Sequence, residues 1–163
     1  MPRTVDLTAV PYGLDPERVE WVETTLAGLS TEQKVGQLFF NLFHLGQDTF
    51  SGNVAGNDEI LATYGIGGAR YHGGSAAQVQ GLINSLQAAT SIPLLVAANC
   101  EAGGNGACDD GTYIATGAQC DAAKTDDVPY RTGLVSGRES GPLGVNVIFA
   151  TASSVSRQRC DRP

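Results

Sequence analysis

Residues 92–106 read Ile-Pro-Leu-Leu-Val-Ala-Ala-Asn-Cys-Glu-Ala-Gly-Gly-Asn-Gly, and this stretch gives the clearest indication of the fold class. Its first seven residues form an unbroken apolar run of strand length, and a strand tolerates a proline near its beginning. A run without polar alternation is typical of a strand buried on both faces, as in a parallel sheet covered by helices. Polar side chains follow at once, at Asn99, Cys100 and Glu101. Because ligands meet parallel α/β sheets at the carboxyl ends of strands, these side chains are candidates for a functional site.

Strand and helix patterns alternate on both sides of this run. The predicted strands are 38–43, 66–71, 92–98 and 145–149. Helical spacing of apolar residues and capping residues predict helices over 16–29, 30–35, 58–64, 75–90 and 127–142. Loops are predicted over 46–59 and 99–121. Short connections from helix to strand and long ones from strand to helix predict a parallel α/β sheet with right-handed crossovers.

Two features of the last predicted helix give further expectations. Asp126 is expected to cap its first turn. Gly133, Gly137 and Gly141 lie four residues apart on one face, although each glycine costs a helix about 1 kcal/mol against alanine. This spacing predicts that the helix packs closely against the sheet.

Composition limits the classes of function. The chain has 163 residues, 42% of them hydrophobic and 17% charged, which fits one globular domain. A net charge of −7 disfavours nucleic acid and anionic membranes as partners. The sequence has neither an apolar run of about 20 residues for a membrane span nor the apolar segment of a secretory signal, so a cytoplasmic location is expected.

Four cysteines are scattered along the chain, at Cys100, Cys108, Cys120 and Cys160. Their spacing does not match the close pairs of a structural zinc site, so free thiols in a reducing compartment and no metal are expected. The carboxylate of Glu101 beside Cys100 is expected to raise the pKa of the thiol and make it a poor nucleophile.

Four motifs in order carry a family resemblance. They are Lys-Val-Gly-Gln-Leu-Phe-Phe at 34–40, Gly-Ile-Gly-Gly-Ala-Arg-Tyr at 65–71, the stretch 92–104, and Gly-Val-Asn-Val-Ile-Phe-Ala at 144–150. Together they resemble the N-terminal part of the barrel of the family 3 glycoside hydrolases, especially the β-N-acetylhexosaminidase-like branch. The match covers roughly residues 30–150. Four motifs in the same order are more specific than any one of them alone.

The resemblance implies the N-terminal half of a (β/α)8 TIM-type barrel, with about four parallel strands. It implies hydrolysis of terminal β-linked sugars with retention through a carboxylate nucleophile, a carbohydrate substrate and no cofactor. In the family the nucleophile and the acid/base lie beyond the part matched here, so no catalytic residue is expected within this chain. The chain alone is therefore expected to be inactive, and to self-associate through exposed sheet edges.

The chain departs from the family pattern at two places. Asn99 stands where many members have an aspartate that holds sugar hydroxyls, and an amide can still donate and accept hydrogen bonds. After residue 150 the family continues Pro-x-x-Asp, whereas this chain reads Thr-Ala-Ser-Ser. We therefore assign residues 1–150 to the barrel and residues 151–163 to an irregular tail, which suggests a truncated or frameshifted sequence.

Five residues are predicted to contact substrate, because each lies at or near the carboxyl end of a predicted strand. They are His44, Arg70, His72, Asn99 and Glu101. Each has a structural alternative: Asn99 and Glu101 could cap loop backbone, the histidines could be structural, and Arg70 could form an ion pair with Glu101. The glycine run 103–106 lacks the lysine of a phosphate-binding loop, and three aspartates, Asp109, Asp110 and Asp121, lack the spacing of a calcium loop.

Three functions from different classes stay open on the sequence. The first is part of a family 3 glycosidase, and the second is a non-catalytic half-barrel that binds sugar or pairs with a second chain. The third, a thiol or metal protein, depends only on the scattered cysteines. The residues present are compatible with hydrolysis and with phosphorolysis.

Overall fold

A four-stranded parallel sheet with helices on one face forms the fold in the computed structural model, which describes residues 5–43, 45 and 54–150. The strands are β1 Phe40–Phe43, β2 Gly68–Tyr71, β3 Leu95–Ala98 and β4 Val147–Ile148. The helices are α1 Pro16–Gly28, α2 Thr31–Gly36, α3 Val54–Tyr64, α4 Ala76–Ala88, α5 Gly117–Ala123 and α6 Asp127–Ser140. Single 3-10 turns cover Gly104–Gly106 and Gly141–Leu143. His44 and the tail 151–163 lie outside the described residues.

The strands lie in chain order, β1-β2-β3-β4, and every pair is parallel. The register places Leu42 beside Arg70 and Arg70 beside Ala97, which in turn lies beside Val147. The predicted α/β class with about four parallel strands is therefore confirmed. The carboxyl ends of all four strands meet at one edge of the sheet, which we call the rim.

The two faces of the sheet differ in burial. One face packs on the helices, and Phe43, Val96 and Ala98 on it are at most 1% exposed. Val79 and Ile83 of α4 complete this core and are also buried. We call this the helix face.

The opposite face, which we call the inner face, carries exposed apolar side chains. Phe40, Leu95 and Phe149 are 40%, 50% and 41% exposed. The rings of Phe40 and Phe149 lie with their centroids 5.7 Å apart, although they belong to the first and last strand regions of the sheet. The sheet is therefore curled, as in part of a barrel, with the inner face on its concave side.

Several helices begin where the capping pattern predicts. Asp15 accepts a hydrogen bond from the backbone N–H of Arg18 at 2.9 Å, and complete capping boxes open α2 at Ser30 and α4 at Ser75. Each side chain satisfies a backbone donor that the first turn of a helix leaves without a partner.

Two predicted loops are shorter than expected because helices begin inside them. Helix α3 starts at Val54 rather than near residue 58, so the loop predicted over 46–59 is wrong in its last part. The loop predicted over 99–121 ends where α5 begins at Gly117, behind a capping box between Thr116 and Gln119. The sequence contains this Thr-x-x-Gln capping pattern. The glycine after Thr116 is a poor helix former and made the helix start difficult to recognise.

Predicted strand ends also needed correction. Strand β3 begins at Leu95 rather than at residue 92, and β4 contains only two residues rather than five. Pro93 lacks the backbone N–H that a β-ladder uses. Farther along the run, the N–H of Val96 donates to the side-chain oxygen of Asn146 at 2.8 Å. The strands are therefore shorter than their apolar runs.

The expectations for α6 were wrong in two respects. Asp126 occupies the cap position, but its side chain makes no capping hydrogen bond within the described residues, and Thr125 accepts from the N–H of Asp127 at 3.3 Å instead. A methyl group added at Gly133, Gly137 or Gly141 would meet no atom within 4 Å. The glycines are therefore not required by close packing against the sheet.

Replacing Gly137 with alanine is expected to stabilise the chain by about 0.5–1 kcal/mol, because alanine favours the helix and no atom obstructs its methyl group. Urea denaturation followed by circular dichroism measures the change. Gly36→Ala in α2 is the matched control and should be destabilising, because its methyl group would overlap the carbonyl oxygen of Tyr64. Destabilisation by Gly137→Ala would show that α6 has a close neighbour.

Candidate functional site

The centre of the rim is a hydrogen bond between Arg70 and Asn99. Nε of Arg70, which lies in β2, donates to Oδ1 of Asn99 directly after β3 at 3.0 Å. Both residues are half-buried. Parallel pairing of β2 and β3 brings these residues together from positions 29 apart in the chain. The guanidinium and the amide together supply a dense set of N–H donors, which suits a ligand rich in oxygen.

His72 directly follows β2, two residues after Arg70, and is exposed. Partial burial and the nearby charge of Arg70 lower the pKa of the imidazole below its ordinary value. The ring is therefore predominantly neutral at neutral pH, with one nitrogen as donor and the other as acceptor.

Glu101 is exposed, and no ion pair joins it to Arg70 among the described residues, where the partner of Arg70 is Asn99. The ion pair considered from the sequence is thus not formed. His44, the remaining candidate, lies outside the described residues. The structure brings together Arg70 and Asn99, and it places His72 within reach of the Arg70 charge. It leaves Glu101 without a described polar contact to them.

The loop after β3 folds back onto the rim and fixes the backbone at Asn99. The hydroxyl of Tyr71 donates to the carbonyl oxygen of Ala107 at 2.8 Å in a buried position. Burial, followed by the proximity of Cys100 and Cys108, raises the pKa of Tyr71, so the hydroxyl keeps its proton and remains a donor. Gly106 lies so close to Asn99 that a methyl group there would overlap the Asn99 carbonyl oxygen.

Two aspartates attach this loop to the start of α4. Asp109 Oδ2 accepts from the N–H of Gly74 at 2.8 Å, and Gly74 in turn accepts from the N–H of Asp109 at 2.8 Å. Asp110 Oδ2 accepts from the N–H of Ala76, the first residue of α4, at 2.9 Å. Negative charge stabilises a helix N-terminus. These carboxylates, considered as cation ligands from the sequence, therefore have a structural role that sequence reasoning missed.

A third carboxylate holds the far part of the same loop. Glu139 on α6 accepts from the N–H of Thr112 at 2.7 Å and from its hydroxyl at 2.6 Å. These two bonds, the hydroxyl first, lower the pKa of Glu139. Gly104 lies beneath the carboxylate, where a methyl group would overlap Oε2.

The lowered pKa of Glu139 predicts a pH dependence of stability. Its contribution is full above the pKa of a free glutamate, about 4.3, and is lost as the pH falls through the lower pKa of the folded state. Glu139→Gln should therefore destabilise the chain at pH 7 but much less at pH 3, as urea denaturation at both values would show. Glu101→Gln, which removes an exposed carboxylate, is the control. A penalty for Glu139→Gln that is the same at both pH values would contradict the assignment.

The cysteines give no sign of thiol chemistry. Cys100 and Cys108 are free and buried, and Cys120 is free and half-buried, while Cys160 lies outside the described residues. Burial raises the pKa of Cys100, and the neighbouring Cys108 adds to it. The predicted direction is right, but the cause is burial rather than the carboxylate of Glu101. No group of three histidine, cysteine, aspartate or glutamate side chains able to hold a metal ion occurs among the described residues.

A curled parallel sheet, covered by helices on its convex face and lined with polar side chains at its carboxyl ends, defines part of a TIM-type barrel. No helix within the described ranges is long and apolar enough to cross a membrane. The class of protein is therefore the α/β barrels whose sites lie at the strand ends.

Known proteins identify the family. No family model matches the chain. A β-N-acetylglucosaminidase/β-glucosidase from Cellulomonas fimi is 30% identical over 145 residues, which are 89% of this chain and 25% of that protein. The structure of the β-glucoside phosphorylase BglX bound to 2FGlc superposes with a TM-score of 0.76 at 31% identity, over 88% of this chain and 25% of that one. A second BglX structure gives a TM-score of 0.68 at 31% identity, over 86% and 23%.

The chain thus spans about a quarter of the length of these relatives. These relatives support the assignment of the chain to the N-terminal domain of the family 3 glycoside hydrolases. The resemblance in the sequence motifs is confirmed, as is the partial TIM-type barrel fold.

Proposed function

We propose that this chain forms a sugar-binding rim of an enzyme that cleaves terminal β-linked sugars with retention, and that N-acetylhexosaminides are its substrates. The Arg70–Asn99 hydrogen bond at the rim carries the proposal. The relatives support a β-linked sugar as substrate, since one is a β-N-acetylglucosaminidase/β-glucosidase and the other, solved twice, is the β-glucoside phosphorylase BglX.

The chemistry of the pair suits a neutral sugar. Asn99 holds the guanidinium of Arg70 in place without adding a charge, and its amide can both donate to and accept from hydroxyl groups. An aspartate at this position would neutralise the charge of Arg70 and could only accept. The amide therefore leaves the rim more electropositive than an aspartate would.

Phosphorolysis is a second candidate, and the guanidinium of Arg70 at the rim favours it. The charge of Arg70 is not compensated by its described partner, Asn99, and a guanidinium binds phosphate well. Both solved structures are of the β-glucoside phosphorylase BglX. A phosphate acceptor in place of water would use the same rim.

We further propose that the 163-residue chain binds sugar without turning it over. Retaining cleavage needs two carboxyl groups about 5–5.5 Å apart across the scissile bond. Asp109 and Asp110 are engaged by backbone N–H groups of the loop before α4 and of its first turn, and Glu101 is exposed beside the rim. The two aspartates therefore hold the loop in place, and they do not supply a free carboxylate for that pair.

Calorimetric titration of the chain with N-acetylglucosamine tests the binding role. Asn99→Ala is expected to weaken binding at least tenfold, about 1.4 kcal/mol, because it removes a direct hydrogen bond and releases Arg70. Asn84→Ala, the same change at an exposed position in α4, is the matched control and should bind like the parent. Equal binding by the Asn99→Ala and Asn84→Ala variants would contradict the proposal.

Turnover is measured separately with a chromogenic N-acetylglucosaminide, in the presence and absence of phosphate. The chain alone is expected to release no chromophore above the buffer rate in either case. Release that requires phosphate would favour phosphorolysis, and release of any kind would disprove the proposed inactivity of the chain.

A further inference from the structure

We propose that Asp109 is a positioning residue, which holds the turn after β2 so that His72 lies beside the Arg70–Asn99 pair and contacts the bound sugar. The sugar contact rests on the proposed function, whereas the placement of His72 depends on the fold alone. Asp109 itself touches no sugar in this arrangement and acts on the ligand only through His72.

The turn that carries His72 is intrinsically flexible. Gly73 and Gly74 follow the histidine, and both have positive φ, +64° and +95°. Glycine adopts this left-handed backbone without steric strain, but it loses more conformational entropy on folding than any other residue. Two such residues in succession do not fix the turn by themselves. The direction of His72 therefore depends on contacts that other parts of the chain make with the turn.

Asp109 makes such contacts from the loop after β3, 35 positions from Gly74 in the chain. Its Oδ2 accepts from the N–H of Gly74 at 2.8 Å, and its own N–H donates to the carbonyl oxygen of Gly74 at 2.8 Å. A methyl group added at Gly73 would lie 3.7 Å from Oδ1 and 3.9 Å from Oδ2, so the carboxylate extends along both glycines. Because one of the two hydrogen bonds involves a charged group, this reciprocal pair restrains the turn strongly.

Strand β2 gives His72 its direction. Tyr71 belongs to the buried core on the helix face, whereas Arg70 is half-buried. Since successive side chains of a strand point to opposite faces, His72 shares the side of Arg70. Strands β2 and β3 pair with Arg70 beside Ala97, and the same register continued by two residues places His72 level with Asn99. The three polar side chains therefore share one part of the rim.

One loop determines the positions of both Asn99 and His72. It begins at Asn99, is held by the bond from the Tyr71 hydroxyl to Ala107 at 2.8 Å, and reaches Asp109 two residues later. A displacement of Asp109 would thus move His72 relative to Asn99. The neutral imidazole can donate to one sugar hydroxyl and accept from another, so its position matters for binding.

A double-mutant cycle, measured by calorimetric titration with N-acetylglucosamine, tests whether Asp109 acts through His72. His72→Ala is expected to weaken binding roughly two- to tenfold, the effect of one hydrogen bond. Asp109→Ala should weaken it to a similar extent, and the double variant should bind no more weakly than either single variant. Asp109→Asn should bind like the parent, because its amide oxygen still accepts from Gly74. Additive losses in the double variant would overturn the proposal.

Asp110→Ala is the matched control, because this neighbouring carboxylate accepts from the N–H of Ala76, beyond the turn, at 2.9 Å. It should reduce stability to urea as Asp109→Ala does, but any loss of binding should add to that of His72→Ala. Coupling of Asp110 to His72 as strong as that of Asp109 would overturn the proposal, since the whole loop and not the Asp109 contact would then determine binding.

Proton NMR titration of the imidazole gives a readout that needs no sugar. The signal of His72 is assigned by its loss in His72→Ala. Removal of a negative charge alone would lower the pKa of His72, whereas release of the turn into solvent and away from Arg70 should raise it toward its ordinary value, about 6.5. A rise in Asp109→Ala and none in Asp109→Asn is therefore expected. An unchanged or lower pKa of His72 in Asp109→Ala would overturn the proposal.

Two further provisions keep the outcomes distinct. Asp109→Glu keeps the charge but displaces the acceptor by one methylene, so it should also raise the pKa of His72, and it replaces Asp109→Ala if circular dichroism shows that variant to be unfolded. If the parent chain does not bind N-acetylglucosamine, the proposed function is wrong. The imidazole titration then still decides whether Asp109 places His72.

Discussion

Replacing Gly106 with alanine is expected to lower the free energy of unfolding by about 2–4 kcal/mol and to abolish measurable sugar binding. The new methyl group would overlap the carbonyl oxygen of Asn99 and lie 2.8 Å from Cα of Cys100. Both obstacles are backbone atoms and cannot rotate away as a flexible side chain can. The backbone at Asn99 must therefore move, and the hydrogen bond from Arg70 to its side chain would be lost.

The two consequences of Gly106→Ala are measured independently, by urea denaturation and by titration with N-acetylglucosamine. Gly81→Ala in α4 is the matched control, because a methyl group there meets no atom within 4 Å. It should be neutral or stabilising and should bind sugar like the parent. Wild-type stability in the Gly106→Ala variant would show that the loop does not approach Asn99 as closely as the structure places it.

Local sequence patterns were sufficient to predict those parts of the fold that depend on neighbouring residues in the chain. The apolar run ending at Ala98 identified a buried parallel strand. The capping-box pattern at Ser30 and the capping serine at position 75 identified two helix starts. Strand ends in a parallel sheet share one edge, so Arg70 and Asn99 could be expected near each other. Predicting the direct hydrogen bond between them would have required the register of β2 and β3, which no local sequence pattern encodes.

The contacts that hold the loop could not be predicted, because they join distant parts of the chain. Asp110 binds the N–H of a residue 34 positions earlier, and Glu139 binds Thr112 across 27 positions. From the sequence alone, a pair of loop aspartates is equally compatible with a cation site, a solvated surface or contacts to a helix N-terminus. Only the position of α4 relative to the loop decides between these readings.

Phe43→Ala is expected to destabilise the chain by about 3–5 kcal/mol, the usual cost of removing a fully buried aromatic ring. Phe43 is 1% exposed on the helix face of β1 and belongs to the core. Since domains are stable by only about 5–15 kcal/mol, the variant should be largely unfolded at moderate urea concentrations. Its unfolding midpoint, followed by circular dichroism, measures the loss.

Phe40→Ala is the matched control, with the same substitution three residues away in the same strand. Phe40 is 40% exposed on the inner face, and its described aromatic neighbour is Phe149. Its removal should therefore cost the folded monomer only about 1 kcal/mol. Equal loss of stability in the two variants would mean that the inner face is covered within the chain, which would contradict the open, curled sheet that the structure shows.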